Sequence, residues 1–198
     1  VGTSDPERLA VVTLNRLQRG MDLYMVNPRS GMARLALRET DKRYLREQAY
    51  TALRFYPGHF ALLSERTGYQ HLYWYTLNGQ LETTVTKGDF EVSQFYGYSE
   101  RDGRFYYAAH KESPLRTAVY ATDKRGKTTC LTPESGTHEV TFSANMRHFM
   151  DVHSQLGVPP VTTLRDGAGR TQKTLIDNAQ LRKKVEDVGV KQEFFTFA

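Results

Sequence analysis

A unit of paired, strand-like runs joined by a polar turn recurs four times along this chain, and its period constrains the fold more than any single residue does. The turns fall at Asn27-Pro28-Arg29-Ser30-Gly31, Asn78-Gly79, Asp123-Lys124-Arg125-Gly126 and Asp166-Gly167-Ala168-Gly169, with the glycines 31, 79, 126 and 167 spaced by 48, 47 and 41 residues. A period of this size is that of one propeller blade. Asn-Gly and Asp-Gly reach positive φ at little cost, which a tight hairpin requires and a branched residue resists. The runs around them are short and rich in aromatic or alternating residues: Leu9 to Leu14, Asp22 to Val26, Phe60 to Ser64, His71 to Tyr75, Phe105 to Ala109, Thr117 to Thr122 and His148 to His153. Each has strand length.

With 12 Tyr and 10 Phe, and no helical periodicity sustained through the first 170 residues, the chain reads as all-β over most of its length. About four blades are expected, at residues 8–40, 50–91, 92–138 and 139–176, each a four-stranded antiparallel sheet, within one partial propeller spanning 1–198. The charged stretch Glu39 to Gln48 separates the first two as a helical turn or an irregular loop. Pro159-Pro160 points to an edge strand or a loop. Leu181, Val185 and Val188 at helical spacing, behind a cap at Asp177 or Asn178, predict a short helix. Val190 to Phe197 returns to strand character, so 177–198 reads as a helix and a strand leading toward a further domain. The opening Val1 to Pro6 reads as mid-protein sequence, expected of a processed or excised piece.

Net charge is +5, but the 27 Lys and Arg are spread among 22 Asp and Glu, and the basic cluster Arg182-Lys183-Lys184 is followed at once by Glu186 and Asp187. A solvated charged face accounts for this, and no nucleic-acid partner is expected. The single Cys130 forbids an internal disulfide and reads as a small buried strand residue.

Catalytic chemistry is hard to find. The nearest approach to a nucleophile elbow, Gly97-Tyr98-Ser99-Glu100-Arg101, lacks the second glycine and runs into Asp102-Gly103, so Ser99 reads as a turn residue. The six histidines, His59, His71, His110, His138, His148 and His153, show no zinc spacing. Asp151 beside His148 and His153 reads as a strand residue with ordinary hydrogen bonds, not a triad fragment. Tyr69, Tyr73, Trp74 and Tyr75 could line a peptide groove, but packing is the stronger reading. Neither a Glu-Glu pair nor a phosphate-cradling loop occurs. No catalytic, cofactor-binding or metal-binding residue is assigned, and no cofactor is expected.

Three ordered segments resemble a known family: Leu14 to Gln18 with Met21 to Tyr24, Ser64 to Tyr73, and Thr86 to Val92. Cys130-Leu131-Thr132, Val140 to Ser143, Val158-Pro159-Pro160 and Lys191 to Phe195 extend the likeness over nearly the whole chain. The family is that of dipeptidyl peptidase IV, the prolyl oligopeptidase-like serine exopeptidases, and the chain resembles the second half of their propeller. Members carry an eight-bladed propeller followed by an α/β-hydrolase domain with a Ser-Asp-His triad, and release Xaa-Pro or Xaa-Ala dipeptides from peptide N-termini.

The resemblance implies a non-catalytic portion that gates and orients substrate. The triad would lie after Ala198 and the glutamates that hold the substrate ammonium before Val1. Peptide substrates, the missing propeller half and the hydrolase domain are the implied partners, with a homodimer as a further expectation. An extracytoplasmic, periplasmic location is implied too. The alternative function is a stand-alone propeller module that recruits a protein or glycan.

Overall fold

The structure, a computed structural model, describes residues 2–3, 5–189 and 195. Four antiparallel meanders follow one another along the chain. The first comprises β1 (Leu9–Leu14), β2 (Gly20–Val26) and β3 (Ala33–Thr40); the second β4 (Arg54–Tyr56), β5 (His59–Ser64), β6 (His71–Thr76) and β7 (Leu81–Thr84). The third comprises β8 (Val92–Ser99), β9 (Arg104–Ala109), β10 (Ala118–Asp123) and β11 (Thr128–Cys130); the fourth β12 (Thr137–Phe142), β13 (His148–Gln155), β14 (Val158–Asp166) and β15 (Thr171–Ile176). Strand order follows sequence order in every sheet, and the fold is a partial β-propeller.

The recurrent turn joins the last two strands of each sheet, β2 to β3 in the first and third to fourth in the others. The first sheet thus has three strands among the described residues. Two glycines of the recurrent turns are required by close approach. A Cβ at Gly79 (φ +84°) would fall 1.6 Å from the carbonyl oxygen of Ala36 in β3, and one at Gly169 (φ +87°) would fall 2.4 Å from that of Leu131. Only a residue without a side chain fits against backbone that near.

Two compact units divide the chain: residues 1–95 with 123–126, and residues 96–122 with 127–198. In the first unit, Met21, Leu23 and Met25 of β2 pack with Phe60, Leu62, Tyr73, Tyr75 and Leu77. In the second, Tyr106, Val119, Ala121, Leu131 and Phe149 form the core, with Tyr96, Val140 and Phe142 against it. Strands β5, β6, β9 and β10 are buried on both faces, whereas β2 alternates and all six residues of β15 are exposed.

A four-residue helix, α1 (Gln48–Thr51), follows the charged stretch. The second helix, α2 (Ala179–Val188), begins where its spacing predicts, but its capping is divided. The Asp177 carboxylate accepts from the amide of Ala179 at 3.0 Å, while Asn178 takes a left-handed conformation and sends its side-chain amide to the carbonyl of Pro160 at 2.7 Å. No residue of α2 is buried.

Pro159-Pro160 corrects the expectation of an edge or loop, since both lie in β14, between β13 and β15. They are tolerated because they occupy its second and third positions, beside the register shift between His153 and Gln155, and pairing with β15 starts at Thr162. The strand expected over Val190 to Phe197 lies outside the described residues except for Phe195, which is not in a strand.

Candidate functional site

Each unit holds a polar cluster built on a buried or half-buried arginine. In the first unit, the chain leaves β3 at Glu39, passes through α1, and meets the turn between β5 and β6. Here Glu39, at 4% exposure, receives hydrogen bonds from the Ser64 hydroxyl and the Arg66 guanidinium. Arg66 also donates to the Tyr75 hydroxyl and lies 4.4 Å over the Tyr73 ring. Burial works against the Arg66 cation, but Glu39 and Tyr75 outweigh it and hold its pKa above the ordinary arginine value. Alongside, Arg46 bridges Glu65 at 2.9 Å and Glu91, and Tyr44 stands exposed at the edge.

Glu39, Tyr44, Arg46, Ser64, Glu65 and Arg66 line a small depression with Asp41, Leu45, Ala49 and Gln70. Ser64, 2% exposed, is committed there to Glu39 and to the Arg66 amide and guanidinium, with no imidazole among its partners. Among its hydrogen-bond partners Ser64 thus lacks the base that a nucleophilic serine requires.

The residues following that turn explain why Ser64 to Tyr73 and Thr86 to Val92 form dense motifs. Gln70 exchanges two 2.8 Å bonds with Val92, side-chain amide to carbonyl and carbonyl to amide. The His71 ring contacts the Thr86 hydroxyl at 3.1 Å and the Gly88 carbonyl at 2.9 Å, edge-on to Phe90. Burial lowers the His71 pKa although the Gly88 carbonyl favours the cation. A repeated device closes the second and third sheets: the Thr86 hydroxyl accepts from the Leu72 amide, and the Thr132 hydroxyl from the Val119 amide, both at 2.9 Å. In each, the preceding residue donates back to the same strand, Val85 to Leu72 at 2.9 Å and Leu131 to Val119 at 2.8 Å.

In the second unit, Asp151 is fully buried and binds His138 Nδ1 at 2.9 Å and Arg165 Nε at 2.9 Å. Arg165 continues to Glu134 at 2.9 Å and to the carbonyls of Gly169 at 3.3 Å and Leu131 at 3.5 Å. Burial raises the Glu134 pKa, but the Arg165 bond prevails and holds it below the usual carboxylate range. The His138 ring stacks on His153 at 4.4 Å. Asp151 is therefore the centre of a buried ionic cluster, a role that its neighbours in sequence did not suggest. Alternation along β13 carries the signal, because Asp151 stands two residues from the buried Phe149, on the same inward face.

Ser99 ends β8 and caps a turn: its hydroxyl lies 3.2 Å from the Asp102 carboxylate, and its carbonyl accepts from the Gly103 amide at 2.8 Å. Tyr73, Trp74 and Tyr75 are buried and only Tyr69 is exposed, so the aromatic run is core. Trp74 is flanked by Tyr56 at 5.1 Å and His59 at 5.0 Å. Cys130 is half-buried, not buried, because the short β11 forms the outer edge of its sheet. Among the described residues, no group of three or more His, Cys, Asp or Glu converges as metal ligands would.

The comparisons with known proteins agree with this fold. The family model for the Dipeptidyl peptidase IV (DPP IV) N-terminal region matches residues 3–160. The crystal structure of Porphyromonas gingivalis dipeptidyl peptidase 4 superposes with a TM-score of 0.88 and 35% identity, over 93% of this chain and 26% of that one. A Bacteroides ovatus structure, 23% identical with a TM-score of 0.74, covering 86% of this chain and 27% of its own, shares the fold. A protein named probable dipeptidyl peptidase 4 of Aspergillus flavus is 22% identical over 130 residues, 63% of this chain and 17% of its own length. The chain thus spans about a quarter or less of these relatives. It belongs to the family of dipeptidyl peptidase IV N-terminal regions.

Proposed function

We propose that this chain is the propeller portion of a serine-type dipeptidyl peptidase that releases Xaa-Pro or Xaa-Ala dipeptides from peptide N-termini. In this reading the propeller orients the peptide and restricts access by size. The triad belongs to an α/β-hydrolase domain of the parent, where a serine nucleophile and an oxyanion hole perform acyl transfer. The observation that carries the reading is the likeness to the Porphyromonas gingivalis enzyme over almost the entire chain. The commitment of Ser64 and Ser99 to structural hydrogen bonds supports a non-catalytic role for this part.

The remaining propeller blades and the hydrolase domain are the proposed partners, and an extracytoplasmic location goes with them. Exposed Leu9, Val11 and Leu35 on the first sheet, and Met150, Leu175 and Ile176 on the fourth, support association with further blades or a second copy. Hydrolysis of Gly-Pro-p-nitroanilide tests the proposal. The parent gene product is expected to cleave it and the 198-residue chain to leave it intact. A parent inactive on both Gly-Pro and Gly-Ala substrates, or cleavage by the chain itself, would refute it.

A further inference from the structure

Three turns of the second unit meet at a groove lined by Arg101, Asp102, Arg104, Tyr106, Arg147, His148, Asp166, Gly167, Ala168 and Arg170. Four arginines face two aspartates there, and both aspartates are already committed. Asp102 is held by Arg101 through bonds of 2.8 and 2.7 Å. Asp166 accepts from the amides of Ala168 at 3.0 Å and Arg170 at 2.9 Å, from the Arg170 guanidinium at 3.0 Å and from Gln172 at 3.3 Å. Arg104 and Arg147 have no ion pair among the described residues, which leaves the groove an excess of two positive charges.

Tyr106 points to what that excess is for. Its ring is in the core, 1% exposed and packed on Phe142 at 5.1 Å. Its hydroxyl reaches the groove wall, 3.5 Å from where a Cβ on Gly167 would stand, and makes no hydrogen bond among the described residues. The ring is buried while the hydroxyl opens on the groove, so its donor is available to a ligand there. Gly167 keeps the space in front of it open, since a side chain there would also approach the carbonyl of Met146 to 2.9 Å. Burial raises the Tyr106 pKa, so at neutral pH the phenol is a proton donor.

We propose that this groove binds a tetrahedral oxyanion, phosphate or sulfate, through the Tyr106 hydroxyl and the guanidiniums of Arg104 and Arg147. Guanidinium forks match paired oxyanion oxygens, and a neutral phenol adds a donor without a further charge. A cation would meet the uncompensated arginines, and an apolar ligand would strand them. The oxyanion has two sources, the free inorganic ion or an ester on a glycan.

Calorimetric titration of the full chain with inorganic phosphate, inorganic sulfate, a sulfated oligosaccharide and its desulfated counterpart, at constant ionic strength set with chloride, tests the proposal. Saturable binding is expected, weakened about tenfold in Tyr106→Phe and about a hundredfold in R104Q/R147Q, and unchanged in R34Q/R16Q, which removes the same charge elsewhere. Binding by the inorganic ions identifies a free-ion site, and binding by the sulfated oligosaccharide alone identifies an ester site; either supports the assignment. No saturable binding by any of the anions, or equal weakening in R34Q/R16Q, would overturn it. Tyr106→Phe retains the ring, so a melting temperature near that of the parent chain separates lost binding from lost folding.

Discussion

Replacing Arg165 by Met leaves the fully buried Asp151 with His138 as its remaining ion-pair-distance neighbour. The guanidinium makes charge-assisted bonds to Asp151 and Glu134, each 2.9 Å, and weaker ones to two carbonyls. Removing one partner of a buried ion pair costs about 3–5 kcal/mol, and the half-exposed Glu134 adds little to that. With a urea slope of about 2 kcal/mol/M, the unfolding midpoint followed by far-UV circular dichroism should fall by about 2 M. Most of that cost comes from the stranded carboxylate, not from the missing contact. The double variant Arg165→Met with Asp151→Asn should therefore be more stable than Arg165→Met, because a neutral amide tolerates burial better. If the double variant is as unstable as the single one or worse, uncompensated charge is not what the cluster guards against.

Two further perturbations test the sheet-closing contacts. Thr132→Val removes the acceptor of the Val119 amide while keeping shape, and should cost about 1–3 kcal/mol with faster hydrogen exchange at that amide; unchanged exchange would refute the role. His71 has a folded pKa below its ordinary value of 6.5, so the unfolded chain takes up its proton first, and the stability it contributes is full above that value and is lost as pH falls from there toward the folded pKa. The melting temperature between pH 8 and pH 5.5 should fall more steeply in the parent chain than in His71→Gln, and parallel profiles would contradict this.

How much of this was legible in the chain differs by element. Strand runs such as Leu9–Leu14 and the Asn78-Gly79 turn stood out because alternation and positive-φ turn chemistry act over a few residues. Pro159-Pro160 misled because the absence of a ladder donor matters only where a partner strand lies opposite, and β15 does not extend that far. The buried ionic clusters were hidden for a related reason. Glu39 with Arg66 and Asp151 with Arg165 are charged residues that composition assigns to the surface, and they are brought together only by pairing across strands or sheets. The Tyr106 hydroxyl was similarly silent, since its setting depends on turns some 40 and 60 residues away.

Each meander closes its own backbone pairing with strands that are neighbours along the chain. Contact order within a sheet is therefore low, and the entropy of loop closure is small at every step. As the polypeptide leaves the ribosome, one sheet can complete its ladder before the next has been synthesised, so nascent strand edges meet their intended neighbours first. The slow event in maturation should then be the lateral docking of finished sheets, where Gly79 must seat against Ala36 and Gly169 against Leu131 with no room for a side chain.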